Sequence, residues 1–270
     1  MAEAKVILSP SIYLVDESFD SKKSNQYHLS ILSNGNNFDF SILDTNTNKY
    51  LVLQSNAQLP VHSFKSVNCC VAHNKFSLIP SSLFDEEKKK ILLEFNHEVK
   101  EEEEIFSNTL HNLNAENLFA VSKKLVEKIR IQFPNAAFIH SSTSFIDGLL
   151  SQNKNNSGKK VFANFYSNFL EVVILEGRKL IFSNAFNYKS PEDIAYYILF
   201  VYEQLHLNPE TIELVLSGGI EKTDKEHSLL YTYIRNIRFA SLPDNFKYSY
   251  KFEEIPSHKF FSLFNQYLCA

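Results

Sequence analysis

The sequence predicts an α/β protein with mixed sheets and flanking helices, built from two similar units. Three observations carry that prediction. Between Val161 and Phe186, three short apolar runs are parted by two tight polar breaks, Ser167-Asn168 and Glu176-Gly177. A capped helical segment then starts at Ser190, and one more β-branched run, Thr211 to Leu216, leads into Gly218-Gly219. The same opening of three apolar runs with Asn-containing turns stands between Tyr27 and Gln54. Runs this close pair as antiparallel hairpins, because a parallel pair needs a long crossover.

In the first unit, Val6 to Leu8 and Ile12 to Val15 read as an edge strand or extended arm. Tyr27–Leu32, Phe38–Leu43 and Tyr50–Gln54 are strands, joined at Asn34-Gly35-Asn36-Asn37 and at Asp44 to Asn48; Asn-Gly is the strongest local hairpin signal. There is room for only a short helix around Pro60 to Lys65, which makes this first unit reduced. Val67–Val71 and Lys75–Ile79 are strands. Phe84 to Phe95 reads as a helix with Phe84, Ile91, Leu92 and Phe95 inward. The run Lys100 to Glu104 is a solvated charged stretch. Ile105–Leu110 pairs with Asn117–Val121, Ser122 caps a helix through Ile131, and the strand Ala136–His140 precedes a helix over Ser142–Leu150.

Ser151 to Lys159 is polar, contains Gly and lacks any apolar residue, so it divides the chain into 1–150, a linker at 151–159, and 160–270. In the second unit, Ser190-Pro191-Glu192-Asp193 combines a capping Ser, a Pro at the first helical position and an Asp able to bond back to the cap. Ile194, Tyr197, Ile198, Val201 and Leu205 share one face, and Tyr196, Leu199 and Phe200 widen it toward deep burial. Thr223 to Glu226 reads as a second capping box, with Leu229, Leu230, Tyr233 and Ile234 inward. Ile237–Ala240 is a strand and Pro243–Tyr250 loop or edge. A final helix after Pro256-Ser257 buries Phe260, Phe261, Phe264, Tyr267 and Leu268.

Composition narrows the function classes. The chain has 270 residues, 44% of them apolar and 21% charged, which is the range of a globular protein. A net charge of -4 without a basic stripe gives no pull toward nucleic acid. No run approaches the ~20 apolar residues of a membrane span, and the N-terminus lacks the pattern of a secretory signal. Cys69, Cys70 and Cys269 are odd in number, and the adjacent pair faces opposite ways on a strand, so no disulfide framework or shared metal is expected. A cytoplasmic location fits this. With 24 Phe, 13 Tyr and no Trp, the core is expected to be Phe-packed.

The order strand, strand, strand, helix, strand is that of a ribonuclease-H-like unit, the building block of actin-like ATPase domains. Asn164-Phe165, Val172 to Leu180, Asn184-Ala185-Phe186, Tyr188 to Leu205 and Leu216-Ser217-Gly218 resemble a bacterial family, domain of unknown function 3822. Leu78-Ile79-Pro80 to Asp85-Glu86 and Asn117 to Val121 extend the likeness over nearly the whole chain after residue 10. The resemblance brings no established activity. It implies two ribonuclease-H-like halves facing a cleft.

In that fold the first hairpin of each half cradles phosphate with Asp and Gly, and the carboxylate organises a divalent cation. Here Ser30 to Ser33 offers no acid, and the second half has Asn164 where Asp is expected and bulky Tyr166 where Gly is expected. Ser217, Gly218 and Gly219 are retained, and with Asn164 they are the candidate nucleotide contacts. The glycines also suit a tight turn for steric reasons alone. His140 at a strand end reads as structural, and His62, His73 and His97 show no zinc spacing. The expectation is therefore a non-catalytic actin-like protein that binds a protein partner, with a degenerate nucleotide cleft, no catalytic or metal residues, and ATP with magnesium not expected. A homodimer is one form such binding takes. The alternative is a divergent ATP-dependent phosphotransferase or ATPase with Asp39, Asp44 or Asp147 on the metal; a third is a small-ligand or carbohydrate-binding protein.

Overall fold

In the computed structural model, which describes residues 11–34 and 37–269, the backbone pairs into three sheets. The elements in order are β1 (Tyr13–Val15), β2 (Tyr27–Asn34), β3 (Asn37–Asp44), β4 (Lys49–Ala57), β5 (Ser66–Val71), β6 (Phe76–Pro80), α1 (Lys89–Glu94), β7 (Glu103–Leu110), β8 (Ala115–Ser122), α2 (Lys123–Gln132), β9 (Ala137–His140) and α3 (Ser141–Gln152). They continue as β10 (Lys159–Phe165), β11 (Phe169–Glu176), β12 (Lys179–Asn187), α4 (Pro191–Gln204), β13 (Leu214–Gly218), α5 (Lys225–Tyr233), β14 (Ile237–Phe239), β15 (Lys247–Tyr248) and α6 (Phe261–Asn265). The expected Val6–Leu8 arm and the Gly35-Asn36 turn lie outside the described residues.

The first sheet runs β1-β4-β3-β2-β5-β9, with β15 also on β4; the second runs β12-β11-β10-β13-β14. Within both, three strands form an antiparallel meander whose first member, β2 or β10, pairs in parallel with β5 or β13. The third sheet, β6-β8-β7, lies between β5 and α2 in sequence. This is the mixed-sheet α/β architecture expected from the sequence.

Local chemistry explains most of the boundaries. Ser190 Oγ accepts from the Asp193 amide at 3.2 Å, and Asp193 Oδ2 accepts from the Ser190 amide at 3.1 Å, so α4 starts on a complete capping box. Several expectations need correction. Leu268 is exposed, and Ser122 precedes α2 without a side-chain cap bond. No helix forms at 60–65; that segment is too short to repay helix nucleation and is held instead by Gln132 Nε2 donating to the Pro60 carbonyl. The segment 84–95 begins as a 3₁₀ turn on the Asp85 cap before α1, and the tighter turn rotates the helix face. Leu93 is therefore buried, while Ile91 and Phe95 are 69% and 88% exposed. On α4 only Ile194, Ala195, Ile198, Val201 and Tyr202 are buried; Tyr196 and Phe200 face out. On α5 Tyr233 also faces out, and Asp224 caps without a side-chain bond to the helix because its Oδ2 accepts from the Glu221 amide.

Two short helices tie the sheets together. α3 follows the first sheet but packs its Phe145, Ile146, Leu149 and Leu150 against Phe162, Val173, Leu175 and Val215 of the second. The chain's end returns to the first sheet through β15 and α6. Phe260, Leu263 and Phe264 pack with Leu43, Tyr50 and Leu53 of the first sheet, and the Tyr50 hydroxyl donates to the Phe264 carbonyl at 2.6 Å. α3 and α6 meet closely at Gly148, where a Cβ would fall on the Asn265 side-chain amide. Asn265 is fully buried and its Nδ2 donates to the Phe261 carbonyl, so it has no room to yield. Gly148→Ala is expected to cost about 1–3 kcal/mol as overpacking, despite the better helix propensity of Ala, and a lowered urea midpoint measures it.

Candidate functional site

The retained residues do come together. β10 and β13 run parallel with Asn164 opposite Ser217 and Phe165 opposite Gly218, so all four candidates sit at the C-terminal ends of two adjacent strands. Such strand ends are where open α/β sheets usually place ligands. Ser217 Oγ donates to Asn164 Oδ1 at 3.0 Å. Asn164 Nδ2 donates to the Tyr166 hydroxyl at 2.8 Å and to Ser262 Oγ at 3.0 Å. The Asn164 amide is thus spent on protein partners, one of them from α6.

The two glycines differ. Gly218 has φ +81°, and a Cβ there would collide with the backbone of Phe165. Its amide donates to the His258 carbonyl at 3.0 Å. Gly219 has an ordinary backbone and only van der Waals contact at 3.6 Å, and its amide donates to the Phe165 carbonyl at 2.9 Å. The geometry therefore requires glycine at 218 and not at 219.

Tyr166 stacks on Phe169 at 4.4 Å and points its hydroxyl inward. Its carbonyl accepts from the Tyr188 hydroxyl. Burial, reinforced by the nearby Glu171, pushes the Tyr166 phenol well above its usual range. Glu171 itself lies opposite Asn164 on β11, almost fully buried. Ser141 Oγ, at the start of α3, donates to Glu171 Oε1 at 2.6 Å, while Oε2 meets no protein donor. Burial raises the Glu171 carboxyl to about 8, against the pull of the Ser141 bond, so it holds its proton at neutral pH. Cys70 is buried beside it, and burial likewise raises its thiol. Glu171 carries a signal in the sequence that the candidate residues above did not include: an acid inside the otherwise apolar run FLEVVIL, where a charge in a strand covered on both faces must be paired or neutralised.

On the first sheet, Ser30 is buried against His28 Nε2. The neighbouring Ile31 carbonyl accepts from Gln266 Nε2, and the Gln266 carbonyl accepts from Asn68 Nδ2. The three acids considered for a metal are engaged elsewhere. Asp39 is buried at the irregular pairing of β3 with β4, and its carboxylate accepts from the Asn56 amide. Asp44 closes its own turn through Asn46 and Thr47. Asp147 is raised to about 6 by burial and accepts from Cys269 Sγ. Among the described residues no group of three His, Cys, Asp or Glu side chains could hold a metal ion. His140 is structural: Nδ1 accepts from the Ser142 amide at the head of α3, leaving Nε2 to donate to the His73 carbonyl. Burial holds both imidazoles neutral, with His73 lowered to about 4.

Two predictions follow from this seam. Gly218→Ala is expected to cost about 1–3 kcal/mol through backbone strain, and Gly219→Ala to stay within about 0.5 kcal/mol, as read in denaturant titrations. Glu171 titrates with a raised folded-state value, so its contribution is complete below the unfolded value near 4.5 and is lost as pH rises through about 8. Glu171→Gln keeps the Ser141 contact and is expected to flatten the fall in Tm over that window, leaving the variant more stable than the parent above about pH 8.

The comparisons with known proteins agree with this architecture. The profile of the family described as Protein of unknown function (DUF3822) matches residues 16–237. No curated protein matches by sequence. A solved structure from Bacteroides thetaiotaomicron VPI-5482, described as a protein with actin-like ATPase fold and unknown function, superposes with a TM-score of 0.74 at 27% identity, covering 82% of this chain and 93% of that one. The PilM-PilN type IV pilus biogenesis complex gives a TM-score of 0.56 at 12% identity, covering 89% and 97%, a likeness of fold. The chain therefore has an actin-like ATPase fold. No described helix is long and apolar enough to cross a membrane.

Proposed function

The chain belongs to the family described as Protein of unknown function (DUF3822), and from that premise we propose that it is a non-catalytic actin-like protein that works by binding a partner protein. The observation that carries this reading is the occupation of the nucleotide-facing strand ends by the chain's own C-terminal segment. Asn164, where a metal-organising Asp is expected, gives its amide to Ser262 and Tyr166. The Gly218 amide is taken by His258, and Glu171 beneath them is protonated rather than charged. A seam whose Asn164 and Gly218 amides are bonded within the chain and whose Glu171 carboxyl is protonated offers neither the carboxylate that would organise magnesium nor free amides for phosphate.

The reading includes the division into halves at 1–150 and 160–270, each a ribonuclease-H-like unit with the first reduced. The matching orders β4-β3-β2-β5-β9 and β12-β11-β10-β13-β14 support it, as does the lack of a crossover helix at 60–65 against the long α4. A cytoplasmic location is part of the same proposal. The fold serves in the PilM-PilN complex, so a protein-binding role is compatible with it.

Calorimetry with ATP or ADP at near-millimolar nucleotide and Mg²⁺ tests the reading. The expected result is no saturable heat. Saturable binding that is lost in Gly219→Leu, a position with space for a side chain in the folded protein, would overturn it and favour a divergent phosphotransferase.

A further inference from the structure

β12 is an outer strand of its sheet: β11 pairs with one side, and among the described residues no strand covers the other. None of its nine residues is buried. Natural edges of this length are blunted by charge, proline or a covering segment, because their unpaired amides and carbonyls accept any extended chain. β12 has no proline, and its one charged residue is Lys179 at the start. One hydrogen bond shows how the edge faces: the Ala185 amide donates to its neighbour Asn184 Oδ1 at 2.8 Å, away from the ladder with β11. By the period of two, the Ser183 amide points the same way.

Two features continue from this edge. On one face, Phe182 and Phe186 lead to α4: Phe186 stacks on Tyr197 at 4.8 Å, and Tyr196 meets Phe200 at 6.0 Å, with Tyr196 and Phe200 62% and 41% exposed. At its start, β12 opens into a groove of about 430 Å³ facing the ends of β6 and β8. Leu78, Leu113 and Leu180 line that groove with Arg178 and Lys179, and no acid is among the lining residues. Glu176 stands opposite Lys179 across the hairpin, and among the described residues Arg178 bonds to the neutral Asn112 and to no acid.

We propose that β12 accepts an added strand from a partner protein, an extended segment with alternating apolar side chains and acidic residues at the end that lies over Arg178 and Lys179. The proposal rests on the protein-binding reading and names its surface and partner chemistry. Backbone pairing supplies affinity, the aromatic face selects the apolar side chains, and the cations fix direction. A second copy of this chain fits poorly. Self-pairing of β12 centred on Ser183 sets Lys179 of each copy diagonal to Lys189 of the other, so like charges meet at both ends.

The probe is a fluorescein-labelled peptide, Asp-Asp-Val-Thr-Phe-Thr-Val-Thr, compared with its Lys-Lys counterpart by anisotropy against the full chain. The acidic peptide is expected to bind saturably, the basic one at least about tenfold more weakly, and the amides of Ser183 and Ala185 to exchange more slowly in the complex. Ala185→Pro removes an amide outside the ladder, which edge strands tolerate. The double change R178E/K179E alters exposed side chains alone. Each is expected to weaken binding about tenfold or more, with circular dichroism confirming the fold. No binding of the acidic peptide, or binding that neither variant weakens, overturns the proposal. So does self-association of the parent chain that Ala185→Pro abolishes in sedimentation, because the edge would then belong to a second copy. These outcomes are independent of the nucleotide titration, so a failure here leaves the protein-binding reading standing on its own test.

Discussion

The packing of α3 and α6 between the two sheets is the constraint on which the rest of the structure depends. α3 joins β9 of the first sheet to β10 of the second and packs on the second, while α6 places Phe260, Leu263 and Phe264 on the first sheet and Phe261 on the second. A fully buried Phe such as Phe264 is worth roughly 1.5–3 kcal/mol in transfer alone, and it sits on the first sheet only because the chain returns there at its end. Gly148 is the point at which that return becomes sterically exacting.

The polar seam follows from the same arrangement. Packing α3 and α6 between the sheets buries the ends of β10 and β13, and their polar groups must then find partners inside the protein. Ser141 reaches Glu171, Ser262 reaches Asn164, and the His258 carbonyl takes the Gly218 amide. Among the described residues no cation pairs with Glu171, and burial keeps it protonated. The Asn164 side chain and the Gly218 amide are bonded within the chain. The side of β12 away from β11 has no strand partner among the described residues.

Much of the fold was legible because it is written in short-range patterns. Apolar alternation marked β2, β3, β4 and β10 to β12. The Ser190-Pro191-Asp193 triplet located the start of α4 and the structure shows its capping box complete. Errors arose where a local pattern had two geometric outcomes. The periodicity of Phe84 to Phe95 was real, but a 3₁₀ entry shifted its phase and put Leu93 inward in place of Ile91 and Phe95. The apolar surplus on α4 became a surface aromatic ladder rather than extra core, since a helix on a sheet buries one face only.

The sequence by itself determined the strand–helix order, the capped start of α4, and the need for glycine after Leu216-Ser217, because each depends on residue type at a local turn or strand end. Tertiary structure alone decided that Ser141 reaches Glu171 and Ser262 reaches Asn164, partners 30 and 98 positions apart in the chain, and that β12 stands at the outer side of its sheet. Hydrogen-bond satisfaction and strand neighbours are properties of what the fold brings together, and no local pattern encodes them.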